Sequence, residues 1–571
     1  MKPLGFISNG ISSALIDSGS IVWLPFPRFD SPSVFGKLLD IEGGEFSIFP
    51  LEEFSASISY LAPNVLSTKF HTKLGNAEVI DIMPLGENSI IRNIKTDIPL
   101  IMKIKPAFYY GLYRAIVKDE KDGTRFLNPK SRECLALFVE NSKRIGIYEW
   151  EILPKSSIVY LAYSPDYLYG PFHKGKELKR DLERSFNFTL NHWKNKINDK
   201  NNDELRKIYY TSIGVLLGLM YSPTGAPVAA PTTSLPEAVG LSRNWDYRFA
   251  WVRDSAMIAE GLLYAGYVIE ARRIINFILG LVNFTTKPLV HPLYTVDGGD
   301  PPPEIEIPWL SGFMDSHPVR IGNGAAAQIQ LDIEGFLLDV IYKYYLKTED
   351  KVFLEENWEK INYIADWISK NWKLRDAGMW EERGKTMHYT HSKVMMWVAL
   401  DRAEKISNEI GKNVNWSEKD KLKEWIFSNC IKDESFVKTS ETTDVDANLL
   451  TLPLYDFIDV KDKIFLNTLK RIENELYING YVKRYSKDFL GQAMHPFTLA
   501  GIWLSRIYIR LGRTNEAIGL IKNAYLPSNG LYLAGEHIDI TKKEYTGNYP
   551  QAFVHAQTIL AINELDNSKI G

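Results

Sequence analysis

The feature that most constrains this chain is a change of hydrophobic period near residue 176. Before it, apolar residues recur at every second position in short runs. After it, they recur every three or four positions in much longer ones. Such a chain must build one part from strands and another from helices. The early runs include SIVWLPF, AEVIDIMPL, SIIRNIKT, LIMKIKPAF, RIGIYEWEI and SIVYLAYS. They are rich in β-branched and aromatic residues and are separated by turn residues such as LGN and SPD. Their alternation suits antiparallel strands with one face buried, and predicts a β-sandwich domain over 1–175.

The segment KELKRDLERSFNFTLNHWKNKIND, charged on one side and apolar on the other, predicts a connecting helix over 176–203. DKNND ends it, with Asp203 placed to cap the next helix. Twelve helical patterns follow, at 204–221, 252–266, 267–283, 324–347, 350–371, 390–408, 415–430, 445–454, 460–475, 493–511, 512–525 and 550–567. The eighth is the weakest. Links after odd-numbered patterns are long and carry Gly, Pro and Trp, whereas links after even-numbered ones are mostly short. Six helical hairpins closed into a ring explain that rhythm. The expected fold class is therefore multidomain, β plus all-α: an N-terminal β-sandwich followed by an (α/α)6 barrel over 204–571. A solenoid would show a fixed-period repeat, and none is found.

Composition removes several functions. The net charge is -3 with no basic stripe, which argues against nucleic acid. No run of about 18 apolar residues suggests a membrane span. The start, MKPLGFISNG, lacks an apolar h-region, so a cytoplasmic protein is expected. Cys134 and Cys430 are the only cysteines and make no disulfide framework. His388 and His391 lie three apart without a carboxylate to complete a ligand set, so neither metal nor cofactor is expected. A homo-oligomer is compatible with the sequence and not specified by it.

In a closed ring the long links all lie at one rim. Four of them are unusual: SRNWDYRFAWVRDS (242–255), PWLSGFMDSHPVRIGNGA (308–325), MWEERGKTMHY (379–389) and GLYLAGEHID (530–539). They bring aromatics, Arg, Asp and Glu to one concave face. Glycoside hydrolysis needs such a set. One carboxylic acid protonates the leaving oxygen, and a second carboxylate activates water or attacks the sugar. Arg and Asp grip hydroxyls, and rings stack on the sugar's C–H faces. The bland reading is also available: Arg253 and Asp254 as a helix-start ion pair, Trp245 and Trp380 as core.

The segments TTSLPEAVGLSRNWDYRFAWVRDSAM, SGFMDSHPVRIGNGAAAQIQLDIEG, MWEERGKTMHYTHSKVMMWVALDRA and GNYPQAFVHA closely resemble glycoside hydrolase family 15, the glucoamylase, glucodextranase and trehalase group. The start, SGSIVWLPFPRFDSPSVFGKLLD, resembles the N-terminal β-domain of its prokaryotic members. The resemblance implies the general acid in a Trp-Glu pair, here Trp380-Glu381. It implies the general base in a Ser-Glu-x-Tyr-Asp-like motif, which here reads Gly535-Glu536-His537-Ile538-Asp539. Serine and tyrosine have been replaced, and Glu536 keeps its place. Glu382 matches a substrate-binding glutamate of fungal members. Trp251, Arg253 and Asp254 match the Trp-x-Arg-Asp motif that holds the terminal glucose. Trp245, Asp246, Trp309 and Arg320 match positions near the same pocket. His391 and Lys393 fall in HSKVMMW, where a buried structural role is at least as good a reading.

The resemblance implies an inverting, exo-acting enzyme that releases β-D-glucose from the non-reducing ends of α-glucosidic substrates. Glucoamylase-type action on maltooligosaccharides, starch or glycogen fragments comes first as the broader family expectation. The alternative is an α,α-trehalase with the same machinery. A phosphorylase would need only one catalytic carboxylate, and a non-catalytic sugar-binding protein would need neither.

Overall fold

A computed structural model describes all residues except 122, 170–174, 198–202, 489 and 569–571. The strand-built part comprises two antiparallel sheets packed face to face. One runs, in spatial order, Gly5–Ser8, Ser13–Asp17, Ser20–Pro25, Glu45–Pro50, Leu100–Lys105, Glu149–Ile152, Ser142–Arg144. The other runs Ile116–Glu120, Gly123–Leu127, Cys134–Val139, Lys155–Ser164, Ser89–Thr96, Asn76–Ile82, Val65–His71, Ser55–Ala62. Alternation does what it should here. In Ser89–Thr96, Ile90 and Ile94 face the sandwich interior, while Ile91 turns outward to the helices.

One charge sits inside this part. Arg92 donates to both carboxylate oxygens of Asp81 at 2.7 and 3.2 Å, and to the carbonyls of Gly19 and Phe46. Both side chains are fully buried. Removing one partner strands the other charge. Arg92→Met is therefore expected to cost about 3–5 kcal/mol, and adding Asp81→Asn to it should return part of the loss. Urea unfolding of the wild type and the two variants checks this, and equal losses from single and double variants would contradict it.

The helix-built part begins with α1 (Gly175–Lys196), which lays Leu182, Phe186 and Trp193 on the core shared with the outward sandwich face. The expected boundary at DKNND falls mostly outside the described residues. Outer helices α2 (Glu204–Gly218), α4 (Val268–Gly280), α6 (Lys351–Asn371), α8 (Glu418–Asn429), α9 (Lys463–Glu475) and α11 (Thr514–Tyr525) alternate with inner helices α3 (Val252–Tyr264), α5 (Ile333–Thr348), α7 (Thr390–Glu409), α10 (Thr498–Arg510) and α12 (Ala552–Ser568). The sixth inner element, the weak eighth pattern, is a pair of 3-10 turns, Ala447–Thr451 and Pro453–Tyr455. Pro453 has no N–H to continue an α-helix, which explains the shortfall. Each inner element touches the next, and α12 closes on α3. All six outer-to-inner links therefore emerge at one rim.

The sandwich reaches that rim. Arg248, in the link before α3, forks onto Asp246 at 2.8 and 2.7 Å and donates to the Ser31 carbonyl and the Tyr110 hydroxyl. The Trp23 indole donates to the Pro231 carbonyl at 2.7 Å. The first rim loop is thus fastened from below by the strand-built part.

Candidate active site

Glu381 lies in the link between α6 and α7. The chain turns there through Gly378 at φ 68° and Glu381 itself at φ 61°. A left-handed glutamate is strained by about 1–2 kcal/mol, and its surroundings hold it. Its N–H donates to the Gly378 carbonyl at 3.2 Å, and Gln328 donates to its carbonyl at 3.1 Å. Both neighbours are clamped. The Trp380 indole donates to the Asp446 carboxylate at 2.8–2.9 Å and meets Phe497 edge-on at 5.2 Å. Glu382 pairs with buried Lys438. With both flanks fixed, the Glu381 side chain faces the cavity.

Burial pushes the Glu381 carboxyl up to about 8. The Arg253 guanidinium, 3.6 Å away, opposes the shift and Asp254 adds to it. The neighbouring Glu382 is paired with Lys438 instead.

Arg253 and Asp254 occupy the first turn of α3. They do not form the expected mutual ion pair. Arg253 Nη1 donates to Asp332 and to Gln330, each at 3.0 Å, which leaves Asp254 facing the cavity beside it. Burial raises the Asp254 carboxyl to about 6, against the pull of Arg253.

Glu536 lies in the link between α11 and α12. Its carboxylate accepts the Asn548 N–H at 3.1 Å, and its own N–H donates to the Asn548 carbonyl at 3.2 Å. Gly547 makes this possible. A Cβ there would stand 2.4 Å from Glu536 Oε2, and its φ of 76° disfavours any side chain. The replaced serine also has a local reason: a Cβ on Gly535 already lies 2.8 Å from Tyr545. His537 Nε2 stands 3.7 Å from Glu536 and 3.8 Å from Glu237. Among the described residues, Glu237, Glu536 and His537 bring ligand atoms within 4.8 Å of one another, a grouping that spacing along the chain did not suggest. Arg484 bonds Glu237 at 2.5 Å and already brings positive charge to that group.

Two compartments adjoin. The inner one is lined by Tyr247, Trp251, Arg253, Asp254, Trp380, Glu381, Arg484 and Glu536, among others. The outer one adds Trp245, Arg243, Glu382, Arg383 and Asp488. Tyr247, Trp380, Glu381 and Arg484 belong to both. A larger void, between the hairpin at Tyr60–Asn64 and α2, has no carboxylate in its wall.

Three expected site residues lie elsewhere. Asp246 is consumed by Arg248 and by the Gly322 N–H. Trp309 is 43% exposed and donates to the Tyr110 carbonyl. Arg320 donates to the carbonyls of Ser242 and Asn244 and rests on Trp245. His391 and Lys393 are buried in α7, and Lys393 donates to the carbonyls of Trp372 and Leu374. Sequence reasoning missed Arg484, Tyr247 and Glu237. The signal available for Arg484 was its place in YVKRYSKD, on another of the long links between helical patterns.

A sequence profile described as Glycosyl hydrolases family 15 matches residues 204–563, and one described as Trehalase-like, N-terminal, matches 1–139. The protein named Trehalase 1 of Sulfolobus acidocaldarius is 66% identical over 566 residues, covering 99% of each chain. Trehalase 2 of the same organism is 41% identical over 570 residues, covering 98% of this chain and 99% of that one. The protein named Trehalase of Mycolicibacterium smegmatis is 32% identical, covering 98% and 90%. A bacterial glucoamylase solved with acarbose superposes with a TM-score of 0.76, covering 100% of this chain and 94% of that one, at 14% identity. That last likeness is one of fold. These matches overturn the glucoamylase-first expectation, because the relatives alike over the whole length carry the trehalase name. The family breadth that favoured glucoamylase said nothing about this branch.

Proposed function

The chain belongs to glycoside hydrolase family 15, and from that premise we propose that it is an α,α-trehalase. One observation carries the reading beyond the relatives' names: two adjoining compartments share Glu381 in their common wall. A disaccharide would place one glucose in each, with the linking oxygen at the shared wall.

In this reading Glu381 gives its proton to the linking oxygen as the bond from C1 of the inner glucose breaks. Glu536 takes a proton from a water that attacks that C1 from the opposite face. One trehalose and one water become two glucose molecules, one released as the β anomer and the other keeping α. Arg253 and Asp254 hold the far hydroxyls of the inner glucose. Arg484, paired with Glu237 and above the rings of Trp380 and Phe497, steadies charge at the junction. The substrate is an α-linked glucose disaccharide, with no cofactor in the chemistry.

The test is the initial rate on trehalose, maltose, maltotriose and soluble starch, with anomers followed by NMR. Trehalose cleaved into equal α- and β-glucose is expected. A chain that cleaves starch and spares trehalose would refute the reading, and early release of α-glucose alone would refute inversion. The same assay carries a pH expectation. Glu381 acts as an acid only while protonated, so kcat/KM should fall as pH rises through about 8. A rate flat to pH 10 would assign the proton to another group.

A further inference from the structure

Trp245 stands over the outer compartment with two guanidiniums on its ring: Arg383 at 4.1 Å from the centroid and Arg320 at 4.6 Å. Arg383 lies just past Glu382 on the α6–α7 link. It forks across to Glu304 of the α4–α5 link, Nη1 to Oε1 at 2.7 Å and Nη2 to Oε2 at 2.5 Å. Glu304 is itself anchored on its own link, accepting the Gly324 N–H at 2.8 Å with Arg320 at 3.6 Å. Two rim loops, 79 residues apart in sequence, are thus joined by a planar two-point ion pair lying against an indole. The joint is partly exposed, at 29% for Arg383 and 18% for Glu304, so it belongs to the rim and not to the core. Across the compartment, Asp488 is held by Arg243 at 2.5 and 2.8 Å, which fixes the α9–α10 link as the facing wall.

We propose that Glu304 and Arg383 form a strap over the outer compartment that limits the leaving group to a single sugar. The proposal rests on the trehalase reading and deepens it by naming what excludes longer α-glucans. Arg383 is in the wall of the outer compartment and Glu304 lies outside that lining, so on this proposal a sugar extended past that wall meets the crossing. Breaking that crossing trades fit to one glucose for room for a second.

The experiment compares the wild-type enzyme with Glu304→Gln, Arg383→Gln and the double variant. It measures KM and kcat on trehalose and Ki for maltotriose as a competitive inhibitor. Glu304→Gln keeps an acceptor for the Gly324 N–H, so it guards against simple loop collapse. Circular dichroism and thermal midpoint confirm folding. Wild type should bind maltotriose far more weakly than trehalose. Each variant should lower the maltotriose Ki about tenfold and raise trehalose KM several-fold, with kcat changed less. The double variant should match the singles, since each removes the same pair. Unchanged Ki in folded variants, or tight maltotriose binding by the wild type, overturns the strap. A wild type inert on trehalose defeats the functional reading instead, so the two failures are told apart at the first measurement.

Discussion

Glu381→Gln is expected to lower kcat on trehalose by about 10²–10⁴-fold while KM moves little. Glutamine keeps the size of the side chain and loses the proton. The main-chain clamps around it, from Gly378 and Gln328, do not involve the carboxyl, so the turn should persist. The loss should shrink sharply on α-glucosyl fluoride, whose leaving group departs without protonation. A structural defect would slow both substrates alike. Stability gives a second sign. The folded carboxyl holds its proton up to about 8, against 4.5 when unconstrained. That contribution to stability is complete below about 4.5 and is lost as pH rises through 8. The variant has no such group, so it should lose less stability than wild type between pH 5 and 9. If Glu381→Gln turns over trehalose normally, or loses both substrates equally, the acid is elsewhere.

The fold was legible because period and link length are coarse signals that survive local irregularity. The switch from two to 3.6 announced the two parts, and alternating link lengths placed the long links at one rim. What the sequence concealed were partners. Arg253 and Asp254 are adjacent in sequence and invited pairing, yet a helix points successive side chains about 100° apart, and Arg253 reached Asp332 instead. Asp246 looked like a free rim carboxylate. Its satisfaction by Arg248, two residues on, required knowing that the sandwich supplies the Ser31 and Tyr110 contacts that hold that arginine. Glu382 looked exposed beside Glu381, and Lys438, 56 positions away, could not be assigned to it from spacing. Arg484 and Glu237 form one buried unit from opposite ends of the barrel sequence. Long-range charge pairing is set by topology, and local pattern carries no trace of it. On the proposed reading the substrate was hidden for a related reason, because the inner compartment would hold the same glucose whichever leaving group is attached.

Gly547→Ala is the second large effect expected, although the residue touches no substrate in this reading. The new methyl would begin 2.4 Å from Glu536 Oε2 and 2.8 Å from its Cβ, and the backbone at φ 76° would resist it. The Cβ of Glu536 cannot yield cheaply. Glu536 is tied through its own N–H to the Asn548 carbonyl, and its carbonyl accepts the Thr498 N–H at 3.0 Å. The carboxylate must therefore swing, losing the Asn548 N–H and its alignment on the water. A base displaced by about 1 Å costs about 10² in rate, because the attack geometry that binding prepared is no longer met. The inner glucose is held by Arg253 and Asp254 from another loop, so KM should change little. Glu536→Gln should show the same split, with a loss of about 10²–10⁴-fold. The double variant should be no slower than Glu536→Gln alone, since a base that is absent cannot be misplaced. Additive losses would mean that Gly547 supports the site by some route other than Glu536.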